Sequence, residues 1–372
     1  MLAYRFRLYP SKEQEKQLNT HLWASKELWN EMLAFTKEFY KNFERFPTKK
    51  TLREFVKNSC LYSQVGQELV DRLCDALWKK SGPKAGFPRF KPFDRMKSLA
   101  YPQSGFSLGK KLKVTPFGEI PIKQHRKIKG IIKTLTLKRE ASGKWFASFS
   151  VQEEKLPPKE NNGEKVGVDL GLMNFAALSN GKIIANPRHF RKHEERLASK
   201  QKRLSKCKKG SKNRRKAKKK VAVEHERISN CRSDFLHKLS HEFVNTYSLL
   251  ALEKLNSKEM AEQKFGKSIH DAGWNSFANM ICYKAEGAGC KVVFVNPKDT
   301  TKECSRCGTM VKKTLSERIH DCPFCGLSID RDVNAARNIL ARGTAGTAET
   351  NASGDETRVS SMMEDATRFI GW

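Results

Sequence analysis

The 372 residues carry 72 Lys+Arg against 40 Asp+Glu, a formal charge of +32. That length allows two to four units with real cores, and the charge excludes an ordinary enzyme for a small neutral substrate, pointing instead to a polyanion, above all nucleic acid. No apolar run approaches the ~18 residues of a membrane span and the N-terminus lacks the apolar core of a secretory signal, so an intracellular protein with no membrane partner is expected.

Residues 3–9 alternate apolar and basic side chains, the period of a strand with one cationic face. Pro10 stops it, and Ser11 with Gln14 forms a capping box for a helix beginning near Lys12. Leu22, Trp23, Leu28, Trp29, Met32, Leu33, Phe35 and Phe39 recur at helical spacing and read as core. Further helical patterns near 50–58 and 64–80 complete a helical domain over 12–95. Residues 86–92 (Gly-Phe-Pro-Arg-Phe-Lys-Pro) interleave bases and aromatics, which suits either nucleic acid or a Pro-rich linker. Short β-like runs at 105–108, 112–114, 131–137 and 145–151 predict a small barrel that the first strand completes, so the helical unit would be an insertion in a β domain.

The polar, Pro-containing stretch 155–162 marks the main boundary. Beyond it, Lys165-Val-Gly-Val-Asp169 is a buried strand ending in a carboxylate, followed by a hairpin with a type I′ turn at Asn180-Gly181. Asp on the first of three antiparallel strands opens an RNase H-like sheet; no G-x-G-x-x-G follows the strand, so it is no Rossmann unit. Residues 188–220 hold seventeen Lys or Arg and only Glu194 and Glu195 as acids. A charge run is usually a solvated face; this one is too one-sided for internal pairing and reads as a phosphate-contacting helical pair. His237 and His241 stand at i, i+4, but without the intervening Glu of a zincin they read as ordinary helix residues. An apolar strand ends at Glu253, 256–270 reads as a loop, and 274–287 as an amphipathic helix.

Cys304, Cys307, Cys322 and Cys325 form C-x2-C-x14-C-x2-C, a spacing that brings four thiolates to one tetrahedral Zn²⁺. Four protein ligands leave no open position, so the zinc is structural. Cys60, Cys74, Cys207, Cys231, Cys282 and Cys290 are assigned no role. Asp332 opens the last helix, and 343–372, rich in Ala, Gly, Thr and Ser, reads as a disordered tail. Asp169, Glu253 and Asp332 each sit at the edge of an element. Converging there they would repel unless divalent cations held them, and hard oxygen ligands suit Mg²⁺ or Mn²⁺. Asp330 competes with Asp332 for the third place.

Gly-Val-Asp-Leu-Gly at 167–171, Leu-Glu-Lys-Leu at 252–255, the cysteine knuckles and Asp-Arg-Asp-Val-Asn-Ala-Ala-Arg-Asn at 330–338 together resemble the TnpB family. These are transposon-encoded, RNA-guided nucleases related to type V CRISPR effectors. Arg5-Phe-Arg-Leu-Tyr-Pro10, Pro88-Arg-Phe-Lys91 and Tyr101-Pro-Gln-Ser-Gly-Phe106 are similar to the family's N-terminal half, so the likeness covers nearly the whole chain. It implies an α+β multidomain protein: a wedge β-barrel (1–11 and 96–158) with an inserted helical recognition domain (12–95), and an RNase H-like (RuvC) nuclease domain (163–301 and 327–342) interrupted by a zinc ribbon (302–326). It also implies catalysis by Asp169, Glu253 and Asp332 on two metal ions, an omega (guide) RNA, a double-stranded DNA target beside a short motif, and a monomer with one RNA. Nucleic-acid contacts are expected from Arg5, Arg7, Arg89, Lys91, Arg203, Arg214 and Arg215. A guide-independent transposase or junction resolvase, and a nuclease-inactive repressor, remain open on the same fold.

Overall fold

The computed structural model describes residues 1–78, 86–153, 157, 159–255, 266–314 and 317–350, with side chains described through 345. The chain divides into two compact units, Met1–Lys155 and Leu156–Trp372.

In the first unit, β1 (Leu2–Leu8) buries Tyr4, Phe6 and Leu8 and turns Arg5 and Arg7 outward, as its alternation predicts. The capping box is present: Ser11 N donates to Gln14 Oε1 at 3.0 Å and Gln14 N to Ser11 Oγ at 3.1 Å. It starts α1 (Lys12–Phe43), which is followed by α2 (Lys49–Lys57) and α3 (Ser63–Trp78). Strands β2 (Ser98–Tyr101), β3 (Phe106–Leu108), β4 (Lys111–Val114), β5 (Gly118–Lys123), β6 (Ile131–Arg139) and β7 (Trp145–Gln152) join β1 in one antiparallel sheet ordered β2-β6-β7-β1-β5-β4-β3. The expected barrel is therefore a near-barrel: β2 and β3 end the backbone ladder, and Tyr101 Oη on β2 donates to the Thr115 carbonyl just past β4. Helices and sheet share a single apolar core, from Leu22 and Leu73 to Leu135 and Phe149. Sequence reading missed β5 because it contains Pro121. The strand tolerates a missing N–H there, and the Pro121 carbonyl still accepts from Tyr9 N.

The second unit carries a five-stranded mixed sheet ordered β10-β9-β8-β11-β12. Strands β8 (Lys165–Leu170), β9 (Asn174–Leu178) and β10 (Ile183–Ala185) run antiparallel; β11 (Leu249–Glu253) and β12 (Lys291–Val295) continue from β8 in parallel. The basic run is a helical pair, α4 (His189–Ser205) and α5 (Lys212–Thr246). After β11 come α6 (Gly266–Ala272) and α7 (Trp274–Ala288), then the two-stranded β13 (Ile319–Asp321) and β14 (Ser328–Asp330), and α8 (Arg331–Thr350). Alternation decides which layer each residue joins. Val166, Val168, Leu250 and Leu252 face a core with Phe243 of α5 and Phe277 of α7, while Leu249 and Ala251 face Ile339 of α8.

Three local expectations are corrected. The Asn180-Gly181 turn is not type I′, because only Gly181 has positive φ (90°); Gly181 N donates to the Leu178 carbonyl, closing a type I turn with glycine in the left-handed position after it. Part of the expected 256–270 loop is α6, and 256–265 lie outside the described residues. The expected disordered tail is helical through Thr350, because Ala-rich sequence propagates the helix and Gly343 packs on Ala251, where an added Cβ would meet the Ala251 Cβ at 2.7 Å. The remainder, 351–372, lies outside the described residues. Among the described residues no helix is long and apolar enough to cross a membrane.

Candidate active site and metal centre

Register brings two of the acids together. Parallel pairing aligns Ala251 with Gly167 and Leu252 with Val168, so Asp169 and Glu253 are the next residues on adjacent strands. Equivalent positions on parallel neighbours point to the same side of a sheet. Gly167 and Ala251 lie on that side, and α8 crosses it so closely that a Cβ on Gly167 would stand 2.0 Å from the Ala336 carbonyl oxygen. Asp332 is one helical turn before Ala336, which carries it toward the strand end where Asp169 lies.

The electrostatics agree with this convergence. Burial pushes the Asp169 carboxyl well above the usual carboxylate range, and the charges of Glu253 and Asp332 push it further, with Arg331 opposing them. Glu253 is also raised by burial, against a hydrogen bond from the Thr300 hydroxyl. Asp332 Oδ1 accepts from Arg331 Nε and Nη2 at 3.1 and 3.0 Å, and Arg318 Nη1 lies 3.7 Å from Oδ2. A buried Asp169 whose proton affinity is raised by burial and by the charges of Glu253 and Asp332 belongs to a hard-oxygen set suited to divalent cations. Asp330 Oδ1 accepts from Asp332 N and Val333 N at 2.9 and 3.1 Å, which caps α8, and its charge also raises the Asp169 carboxyl.

All four knuckle cysteines meet, their ligand atoms within 4.8 Å of one another; among the described residues no other group of three or more His, Cys, Asp or Glu does so. Cys304 to Cys325 and Cys307 to Cys322 sulfur distances are both 3.6 Å, near the ~3.8 Å edge of a tetrahedron with Zn–S of about 2.3 Å. Gly308 (φ 74°) and Gly326 (φ 69°) make the tight knuckles, their N–H groups donating to the Cys304 and Cys322 carbonyls. The Cys307 thiol is pulled down to about 6, first by its contact with the Thr309 hydroxyl.

The expected nucleic-acid residues divide into two groups. Arg89, Arg203 and Arg215 are exposed. Arg5 is half exposed, pairs with Glu140 at 2.6 Å and lies over the Phe146 ring. Arg7 donates to the Trp145 carbonyl. Lys91 is half-buried with Nζ 3.2 Å from the Trp29 ring centroid, and burial lowers its pKa to about 8. Arg214 is turned inward, its Nη1 donating to the Leu204 and Cys207 carbonyls at 3.0 Å each. The basic pair also contains internal pairing the sequence did not suggest: Glu224, fully buried, is bonded by Lys200 and His193. His237 and His241 are exposed and form no such cluster.

Sequence reading gave no role to Thr300, Asn334 or Asn338. Asn334 and Asn338 are buried; their Nδ2 groups donate to the Glu303 carbonyl at 2.8 and 2.7 Å, and Ser305 N donates to Asn334 Oδ1 at 2.9 Å. Two Asn at i, i+4 on the apolar face of one helix were a usable signal. Thr300 offered none.

A family model described as a probable transposase matches residues 148–264, a Cas12f1-like TNB domain model matches 274–339, and a helix-turn-helix model matches 1–45. That last segment is here a strand and one continuous helix, with no turn between two helices. A Streptomyces pristinaespiralis protein named as an RNA-guided DNA endonuclease is 32% identical over 93% of this chain and 90% of its own. InsQ of Escherichia coli K12, similarly named, is 29% identical over 92% of both. A Cas12f1 structure determined with guide RNA and target DNA aligns with a TM-score of 0.56 at 16% identity, over 89% of this chain and 83% of that one, a likeness of fold.

Proposed function

The chain belongs to the TnpB family of RNA-guided DNA endonucleases, and on that premise we propose that it hydrolyses phosphodiester bonds of a double-stranded DNA target chosen by a bound omega RNA, next to a short target-adjacent motif. The observation that supports this reading is that Asp169 and Glu253 share the sheet face that α8 crosses, while Asp332, one turn before the crossing, acts on Asp169 by its charge. These acids hold Mg²⁺ or Mn²⁺ in a RuvC-like domain formed by 163–301 and 327–342. Bound there, a cation pair supplies the charge that activates a water and stabilises the leaving 3′ oxygen. Glu253 and Asp169 fix the cations from the sheet, and Asp332 from the helix. Arg331, bonded to Asp332 Oδ1, holds that carboxylate in place.

The four cysteines hold a structural zinc in a ribbon, 302–326. The first unit is read as a wedge (1–11 and 96–158) with a helical recognition domain (12–95). The guide's phosphates meet the exposed bases of α4 and α5, Arg203 and Arg215 among them, and Arg89 of the first unit. One protein chain binds one RNA. Charge supports the polyanion, and three retained acids favour a nuclease over a repressor.

The test is cleavage by the purified protein with its co-expressed RNA and Mg²⁺ against matching targets in a library of flanking sequences. Guide-matched cutting that disappears with Asp169→Ala is expected. Activity that survives RNase treatment would identify a guide-independent transposase or resolvase instead, and binding without nicking in any divalent metal would identify a repressor.

A further inference from the structure

Glu253 ends its strand with three free side-chain torsions, and one hydroxyl removes that freedom. Thr300, buried in the loop after β12, donates from Oγ1 to Glu253 Oε1 across 2.6 Å. The Pro297 carbonyl oxygen stands 3.2 Å from Thr300 Oγ1. A hydroxyl has a single proton, and the shorter bond to the more charged acceptor takes it.

The loop that carries Thr300 is itself tied to α8. Asn338 Nδ2 donates to the Thr300 carbonyl at 2.8 Å and to the Glu303 carbonyl at 2.7 Å, and Asn334 adds its own bond to Glu303. Thr300 therefore links two supports: its hydroxyl holds the acid at the end of β11, and its carbonyl is held by the helix that begins beside Asp332.

We propose that Thr300 is a positioning residue of the acid site, engaging Glu253 Oε1 so that Oε2 is left as the oxygen presented to a divalent cation. The inference rests on the reading of the three acids as cation ligands. Groups that orient metal ligands from behind typically affect metal affinity or activity by about 10–100-fold.

Mn²⁺ binding to the full-length protein, measured by electron paramagnetic resonance of the free ion, tests it with Thr300→Val, Thr300→Ser and, as reference, Asp169→Asn. Thr300→Val should weaken Mn²⁺ binding by roughly tenfold or more, and the guide-loaded protein should need correspondingly more Mn²⁺ to cut while its RNA affinity is unchanged. Thr300→Ser, which keeps the hydroxyl, should bind Mn²⁺ within about twofold of wild type. A merely structural threonine would shift melting temperature or zinc content, and excess Mn²⁺ would not restore its variant's cutting. Wild-type Mn²⁺ affinity in Thr300→Val, with Asp169→Asn impaired, overturns the positioning role alone. Unchanged affinity in Asp169→Asn overturns the acid site and this inference with it. If Thr300→Val loses zinc or melts early, the serine variant decides, and a loss beyond about twofold overturns the proposal.

Discussion

Gly167 lies directly beneath Ala336, with no room for a side chain between the strand and the helix: an added Cβ would stand 2.0 Å from the Ala336 carbonyl oxygen and 2.7 Å from Leu340 N. Both atoms are backbone, so no rotamer change relieves the clash. The glycine two residues before Asp169 thus sets how closely α8, with Asp332 in its first turn, approaches the sheet.

Gly167→Ala should lift α8 off the sheet, destabilising the second unit by about 1–3 kcal/mol and lowering cleavage at least tenfold with guide binding retained. Gly86→Ala, where nothing lies within 4 Å of an added Cβ, should stay within about 0.5 kcal/mol of wild type. Denaturant melts and cleavage rates on the two variants check this. Equal behaviour of the pair would remove the close approach as a determinant of the site.

Much of this arrangement was legible in the sequence, because strands that end in a lone acid and knuckles spaced for zinc are local patterns. Asp169, Glu253 and the four cysteines stand out that way; Asp332 stands out as the acid that opens the last helix, with Asp330 as its competitor. Contacts made across the fold were not. Thr300 meets Glu253 47 positions away, and no propensity or period encodes that pairing. The Pro in β5 hid a strand whose neighbours supply its bonding, and glycines near the end of α8 hid a helix that continues through Thr350. Composition likewise could not tell Arg214 from Arg215, since direction on a helix depends on where its partner helix runs.

Asp169 binds its proton more tightly in the folded chain than in the unfolded chain, where the ordinary value is 3.8. The metal-free fold then holds more protons than the unfolded chain above about pH 4, and stability falls as pH rises through that window toward the raised folded value. Asp169→Asn removes the charge without changing the shape. In the absence of divalent metal it should melt about 2–4 °C above wild type at pH 8, with the difference shrinking as pH falls to 4. Added Mg²⁺ should stabilise wild type only. A variant that melts below wild type at pH 8 would show that the buried Asp169 charge does not strain the metal-free fold.

Arg214 and Arg215 are adjacent but do different work. Arg214 satisfies carbonyls at the end of α4, those of Leu204 and Cys207, whereas Arg215 is exposed. Arg214→Ala should cost about 1–3 kcal/mol through the carbonyls it abandons. Arg215→Ala should leave stability within about 0.5 kcal/mol and reduce the salt slope of RNA binding by about 1. Thermal melts and RNA titrations over several salt concentrations separate the two. A loss of RNA affinity in both variants without any change in stability would contradict the inward role of Arg214.

The four-cysteine cluster is linked to the helix of Asp332 by two routes. Along the chain, Cys325 leads through β14 to Asp330, whose carboxylate caps α8 at Asp332 and Val333. Through space, Ser305, next to Cys304, donates its N–H to Asn334 one turn into the helix. Metal binding at such a site is coupled to local folding, so Cys322→Ser should release zinc and loosen both routes together. The expected results are loss of stoichiometric zinc, faster amide exchange in 328–336, and cleavage reduced by roughly 10–100-fold. RNA affinity, carried by bases far from the ribbon in sequence, should hold within about threefold. Full cleavage by a zinc-free Cys322→Ser protein would uncouple the ribbon from Asp332 and leave the helix cap to Asp330 alone.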